Sequence, residues 1–81
     1  MKAKKENGNI LITFSGDEAI VLLEWLHNFN EEQYLDLFQD QAEERILFDL
    51  EAELEKTISD TFDNSYQEIL LKAREKIRDN E

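Results

Sequence analysis

The chain has 81 residues, 20 of them acidic and nine basic, for a formal net charge of −11. That balance argues against direct binding to free nucleic acid or to an anionic membrane surface, since both would repel it. The absence of cysteine excludes disulfides and thiolate metal sites, and 41% hydrophobic residues, with five Phe, two Tyr and one Trp, set the chain apart from acidic disordered sequences.

A chain of this length holds one domain, expected over 1–81, with a basic tail and strand or hairpin in 1–14 and a helical region in 16–79. Asn9 to Phe14 (N-I-L-I-T-F) is β-branched and aromatic, and Ile10, Ile12 and Phe14 share one face at period two, so a strand is expected there. Asn7-Gly8 immediately before it is a two-residue hairpin signal of the type I′ kind. If that turn forms, Lys2 to Glu6 pairs back and puts Ala3 and Lys5 on the face of Ile12 and Ile10; otherwise the first residues are a frayed basic tail. A lone two-stranded ribbon is marginal, so it has to pack on the helices or meet another chain.

Ser15-Gly-Asp-Glu18 reads as a capping box, opening a first helix from about Gly16 to Asn28. Its main apolar stripe is Ala19, Leu22, Leu23 and Leu26, with Val21 and Trp25 on a second face and Phe29 between the two. A helix apolar nearly all round is either central to the fold or in touch with a partner. Asn30-Glu-Glu-Gln33 offers a weaker cap before a short helical turn carrying Tyr34, Leu35, Leu37 and Phe38. Asp40 caps a long helix expected from about Gln41 to Phe62, with Ala42, Ile46, Leu47, Leu50, Leu54 and Ile58 as its stripe and Phe48 well off it. Ser65-Tyr-Gln-Glu68 is a second capping box, and the last helix runs from about Tyr66 to Arg78 on a stripe of Tyr66, Ile69, Leu70, Ala73 and Ile77. The expected fold class is mainly α: a small bundle of three to four helices preceded by an N-terminal β-strand or short β-hairpin.

Charge is unevenly placed. Lys2, Lys4 and Lys5 against Glu6 leave residues 1–15 at +2, residues 64–81 are balanced, and residues 16–63 carry fifteen acids against only Arg45 and Lys56. The middle segment is either a solvated face that keeps a small protein in solution or an electronegative surface that steers a basic protein.

No constellation for chemistry stands out. Glu24 and His27 form an E-x-x-H on the first helix, the spacing of a carboxylate-bridged di-iron site, but one chain supplies one such pair and Glu24 points to the polar side. Glu31-Glu32, Glu43-Glu44 and Glu51 with Glu55 are carboxylate pairs on polar helices, expected to be solvated rather than tuned for acid–base work. There is no calcium loop and no glycine-rich phosphate loop. The reading is therefore a non-enzyme, with no catalytic residue, cofactor or metal assigned.

Large apolar residues off the helical stripes are the informative ones, because aromatic residues concentrate at interface centres and charged ones do not. Val21, Trp25, Phe29 and Phe48 on the helices, with Ile10 and Ile12 on the strand, are the candidate interface. The expected function is a small acidic protein–protein interaction module, self-associating as a homodimer and located in the cytoplasm, since no apolar run of signal-peptide or membrane-spanning length occurs. The alternative is an acidic inhibitor or DNA mimic blocking a basic nucleic-acid-binding site, its carboxylates standing in for phosphates.

Overall fold

A computed structural model describes residues 1–32, 35–58 and 65–79, with Leu35 described through its backbone only. The chain opens with an antiparallel hairpin, β1 (Lys2–Glu6) and β2 (Asn9–Thr13). Its turn has φ of 51° at Asn7 and 85° at Gly8. Positive φ at both central residues is what a type I′ turn requires, and its twist matches that of the strands it joins. Ala3 lies opposite Ile12 and Lys5 opposite Ile10, the expected register.

Three helices follow: α1 (Gly16–Glu32), α2 (Gln41–Thr57) and α3 (Tyr66–Arg78), with a single 3₁₀ turn, Leu35–Leu37, between α1 and α2. The first capping box is present in both directions. The Glu18 N–H donates to Ser15 Oγ at 3.1 Å and the Ser15 N–H to Glu18 Oε1 at 2.8 Å. Those two bonds satisfy orphan amides at the start of α1, and the Met1 amino group ahead of the hairpin donates to Glu18 Oε2 at 2.9 Å. The Asp40 carboxylate caps α2 by accepting from the Ala42 N–H at 2.8 Å. The mainly helical bundle with its leading hairpin is thus the architecture expected.

Four details differ from expectation. Helix α1 runs past Asn28 to Glu32, because Asn30 is no cap: its amide donates to Glu51 of α2 and ties down the last turn. Helix α2 ends at Thr57 rather than Phe62. Ile58 is extended at φ −95° and ψ 112°, and residues 59–62 of the expected helix lie outside the described residues. At α3 the N-cap Ser65 has φ −93° and ψ 12°, not the extended backbone a capping box needs, and its side chain makes no cap bond. Ile46 and Ile77, placed on core stripes by spacing, are exposed, as are Ala42 and Leu71.

Packing explains the last point. Helix α1 is central and lies against both α2 and α3. Leu23 and Leu26 of α1 meet Leu54 of α2, and Leu47, Leu50 and Ile58 pack against them. The contact line of α2 is therefore Leu47–Leu50–Leu54–Ile58, at i, i+3, i+4 spacing, which leaves Ile46 at its edge. Leu70 and Ala73 supply the buried part of α3, and Ile20, which falls outside the expected α1 stripe, is buried as well because α1 is covered from two directions. The hairpin has no such cover: every residue from Met1 to Thr13 is exposed.

Candidate interaction surface

Trp25 sits one residue from the midpoint of α1 with 54% of its surface exposed. It stacks on Phe29, one turn along the helix, with ring centroids 4.8 Å apart and planes 18° from parallel. Phe29 in turn meets Phe38 edge-on at 5.9 Å and 80°. Both geometries suit the aromatic quadrupole. The row of rings leads into an open groove of about 380 Å³ lined by Phe29, Leu37, Phe38, Glu43, Ile46 and Leu47. That size is at the lower end for a ligand-sized cleft. Leu37 of the 3₁₀ turn and Phe38 just after it make one wall, with Phe38 seated against Phe29 of α1, and the exposed edge of α2 makes the other.

Of the residues singled out in the sequence, Trp25 and Phe29 come together here. Val21 is half-buried one turn before Trp25. Phe48 is exposed on α2 but is not among the groove residues. Ile10 and Ile12 are exposed on the hairpin and are not among the groove residues. Spacing arguments missed Leu37, Phe38 and Ile46 as surface residues. The first two lie in and just after a turn too short for a helical wheel, and Ile46 has core spacing but falls at the edge of the line that α2 buries.

Beneath and beside this surface lies a set of polar links from α1 to its neighbours. Tyr66 Oη donates to Glu24 Oε2 at 2.8 Å, joining α3 to α1. Burial and that bond to a carboxylate push the Tyr66 phenol up to about 12. Asn30 Nδ2 donates to Glu51 Oε1 at 2.6 Å, and His27 Nδ1 lies 3.2 Å from Glu51 Oε2, joining α2 to α1. The other ring nitrogen of His27 is 3.2 Å from Glu31 Oε1. The bond to Glu51 raises the His27 pKa above its ordinary value against the opposing effect of burial, and the charges of Glu31, Glu51 and Glu24 add to it. Glu51 thus departs from the expected solvated carboxylate: its side chain is 15% exposed and serves two partners on α1.

The two members of the E-x-x-H pair take different partners. Glu24 is engaged by Tyr66, while the donors that gather around His27 are Glu51 and Glu55, all within 4.8 Å of one another. With carboxylates at both nitrogens, His27 has the surroundings of an ion-paired imidazolium bracing α1 to α2. Among the described residues no helix is long and apolar enough to cross a membrane. The chain matches no family model, no curated protein and no solved structure.

Proposed function

We propose that this chain is a small acidic protein–protein interaction module that associates with itself. The observation that carries the reading is Trp25. A tryptophan at the middle of the central helix is half in solvent and continuous, through Phe29 and Phe38, with an apolar groove. Aromatic anchors in such settings dominate binding energy where they are buried by a partner. A hairpin with Ile10, Leu11 and Ile12 all exposed adds a second apolar surface. A domain of 81 residues buries a limited share of its surface, and burial in a dimer would supply more.

Sedimentation velocity between 1 and 100 µM is the direct test. A dimer is expected, with Trp25→Ala shifting the equilibrium toward monomer by roughly tenfold or more in Kd. Wild-type protein that stays monomeric throughout that range would refute self-association.

A further inference from the structure

Resting on that self-association, we infer that the β1–β2 hairpin of one copy docks into the Phe29–Phe38–Ile46 groove of a second copy, and the second hairpin into the first groove, forming a reciprocal two-fold dimer. The hairpin is the element that most lacks cover. A two-stranded ribbon is marginal in water without something packed on it, yet no residue from 1 to 13 is even half-buried. One of its faces is apolar, with Ala3, Ile10 and Ile12 side by side and Lys5 beside Ile10 near the turn.

Its own groove is out of reach as the chain is arranged. The hairpin joins the N-terminal end of α1, where the Ser15–Glu18 capping box fixes the junction. The groove opens at Phe29, near the opposite end of the same helix, roughly 20 Å away at 1.5 Å per residue. A second copy with its α1 antiparallel to the first removes that separation. Each hairpin then lies beside the partner's groove, and Trp25, close to the helix midpoint, lies near the two-fold axis. The arrangement closes on itself, so it makes a dimer and not a fibre.

Charge selects this pairing over the two symmetric alternatives. The hairpin carries Lys2, Lys4 and Lys5 against Glu6. Lys4 pairs with Glu6 at 3.3 Å, while Lys2 and Lys5 make no ion pair among the described residues. The stretch that builds the groove, residues 36–49, holds Asp36, Asp40, Glu43, Glu44 and Asp49 against Arg45 alone, and Arg45 already faces Asp49 at 3.6 Å. Hairpin on hairpin would set lysines against lysines, and groove on groove would set carboxylates against carboxylates. Hairpin in groove sets Lys5 toward Glu43 while the isoleucines enter the apolar cleft.

The test is complementation between two variants, followed by sedimentation and by fluorescence anisotropy of one labelled partner. One variant carries Ile10→Ser with Ile12→Ser; the other carries Leu37→Ser with Ile46→Ser. All four positions are exposed, so both variants should keep the wild-type circular dichroism and melting behaviour when dilute. Each variant alone should dimerise roughly tenfold or more weakly than wild type. An equimolar mixture should dimerise more tightly than either alone, because one intact hairpin then meets one intact groove. A mixture no tighter than its components overturns the inference. So does a groove variant that dimerises like wild type, which would mean hairpin pairs with hairpin, or a hairpin variant that does so, which would mean groove pairs with groove. In each of those cases a dimeric wild type leaves self-association standing, whereas a monomeric wild type removes both.

Discussion

In the helical body Leu26 and Leu70 are 1% exposed and Ala73 not at all, whereas the hairpin contains no residue that escapes solvent. Both regions are regular, but their order has different sources. The hairpin is specified by its turn: Asn7 and Gly8 take the left-handed φ values that set strand twist and register, and the pairing follows. The body is specified by burial, with α1 serving as the element that α2 and α3 both cover. Charge divides along the same boundary, basic in the ribbon and acidic in the helices up to residue 63. Local chemistry can shape a ribbon without giving it a core, and a ribbon so shaped is available to a partner in a way the helices are not.

The sharpest way to break this comparison is to truncate one side chain in each region. Leu26→Ala should lower stability by about 2–5 kcal/mol, the transfer loss plus the cavity left behind. That is a large share of the roughly 4–12 kcal/mol expected of a domain this size. Ile12→Ala, in protein dilute enough to be monomeric, should change stability by less than ~0.5 kcal/mol. Urea unfolding at a concentration where sedimentation shows monomer would measure both. Comparable losses at the two positions would mean that the hairpin shares the body's core after all.

Inside the body, Glu51 separates packing from polar linkage. Glu51→Ala removes the acceptor for Asn30 and for His27 at once, leaving both polar groups of α1 to find water beside a half-closed interface. A loss of about 1–3 kcal/mol is expected, without change in the far-ultraviolet circular dichroism of the folded protein. The same substitution at Glu44, whose surroundings include no such pair of partners, should be close to neutral. If the two variants melt alike, the α1–α2 contact is held by its apolar packing around Leu23, Leu26 and Leu54.

How far the sequence discloses this molecule depends on the range of each interaction. The turn at Asn7-Gly8 and the caps at Ser15 and Asp40 rest on residues within a few positions of one another, so the sequence offers them, with the hairpin and its register as one of two readings of the first residues and a frayed tail as the other. Period and propensity gave the helices but not all of their ends. The extension of α1 to Glu32 depends on Asn30 reaching Glu51, 21 residues away, and no local rule contains that bond. Ile46 carried the spacing of a core residue and ended at the rim of a groove, because spacing gives the face of a helix but not the angle at which a neighbour crosses it. Trp25 and Phe29 were recognisable as off-stripe aromatics. Their continuation through Phe38 was not, since Phe38 lies between a single 3₁₀ turn and α2, where there is no periodicity to detect. Glu24 and His27 were noticed together for a spacing that the fold does not use: one faces Tyr66, the other Glu51.

The junction of the two regions gives a smaller effect. Ser15→Ala deletes the acceptor for the Glu18 amide and leaves one orphan donor at the start of α1, for a loss of about 1 kcal/mol. Because the same box fixes where the hairpin leaves the helix, hydrogen exchange should quicken at Glu18 and at Ala19, whose amide bonds the Ser15 carbonyl, more than anywhere in α3. Uniform quickening across the molecule would show that the cap supports the whole fold rather than the junction.

The smallest expected effect is a pH dependence confined to the body. The His27 pKa is raised above 6.5, first by its bond to Glu51 and then by the charges of Glu31, Glu51 and Glu24; Glu55 lies in the same cluster. A basic group raised on folding binds more protons folded than unfolded, so its contribution is fully present below about pH 6.5 and is lost as pH rises through the raised value. Other groups act elsewhere on the pH axis. The Glu18 pKa is lowered by the Ser15 amide and by the chain's amino group, so its contribution is present above 4.5 and is lost as pH falls through the lowered value. Tyr66, raised to about 12, contributes below pH 10 and loses that contribution between 10 and 12. Between pH 6 and 9, then, His27 alone of these three changes its contribution. Its ring is half exposed, which limits the effect to the order of 0.5 kcal/mol, or a fall in Tm of about 2–4 °C from pH 6 to pH 9. His27→Gln should flatten that slope, while Ile10→Ser with Ile12→Ser should leave it as steep as in wild type when the protein is dilute. A slope that persists without His27 would move the proton uptake to another group and leave the imidazole as a spectator on the α1 surface. A slope that vanishes with the hairpin substitutions would mean that the hairpin reaches His27 within one copy, although its one ion pair to the helices among the described residues joins the Met1 amino group to Glu18 at the far end of α1, at 2.9 Å.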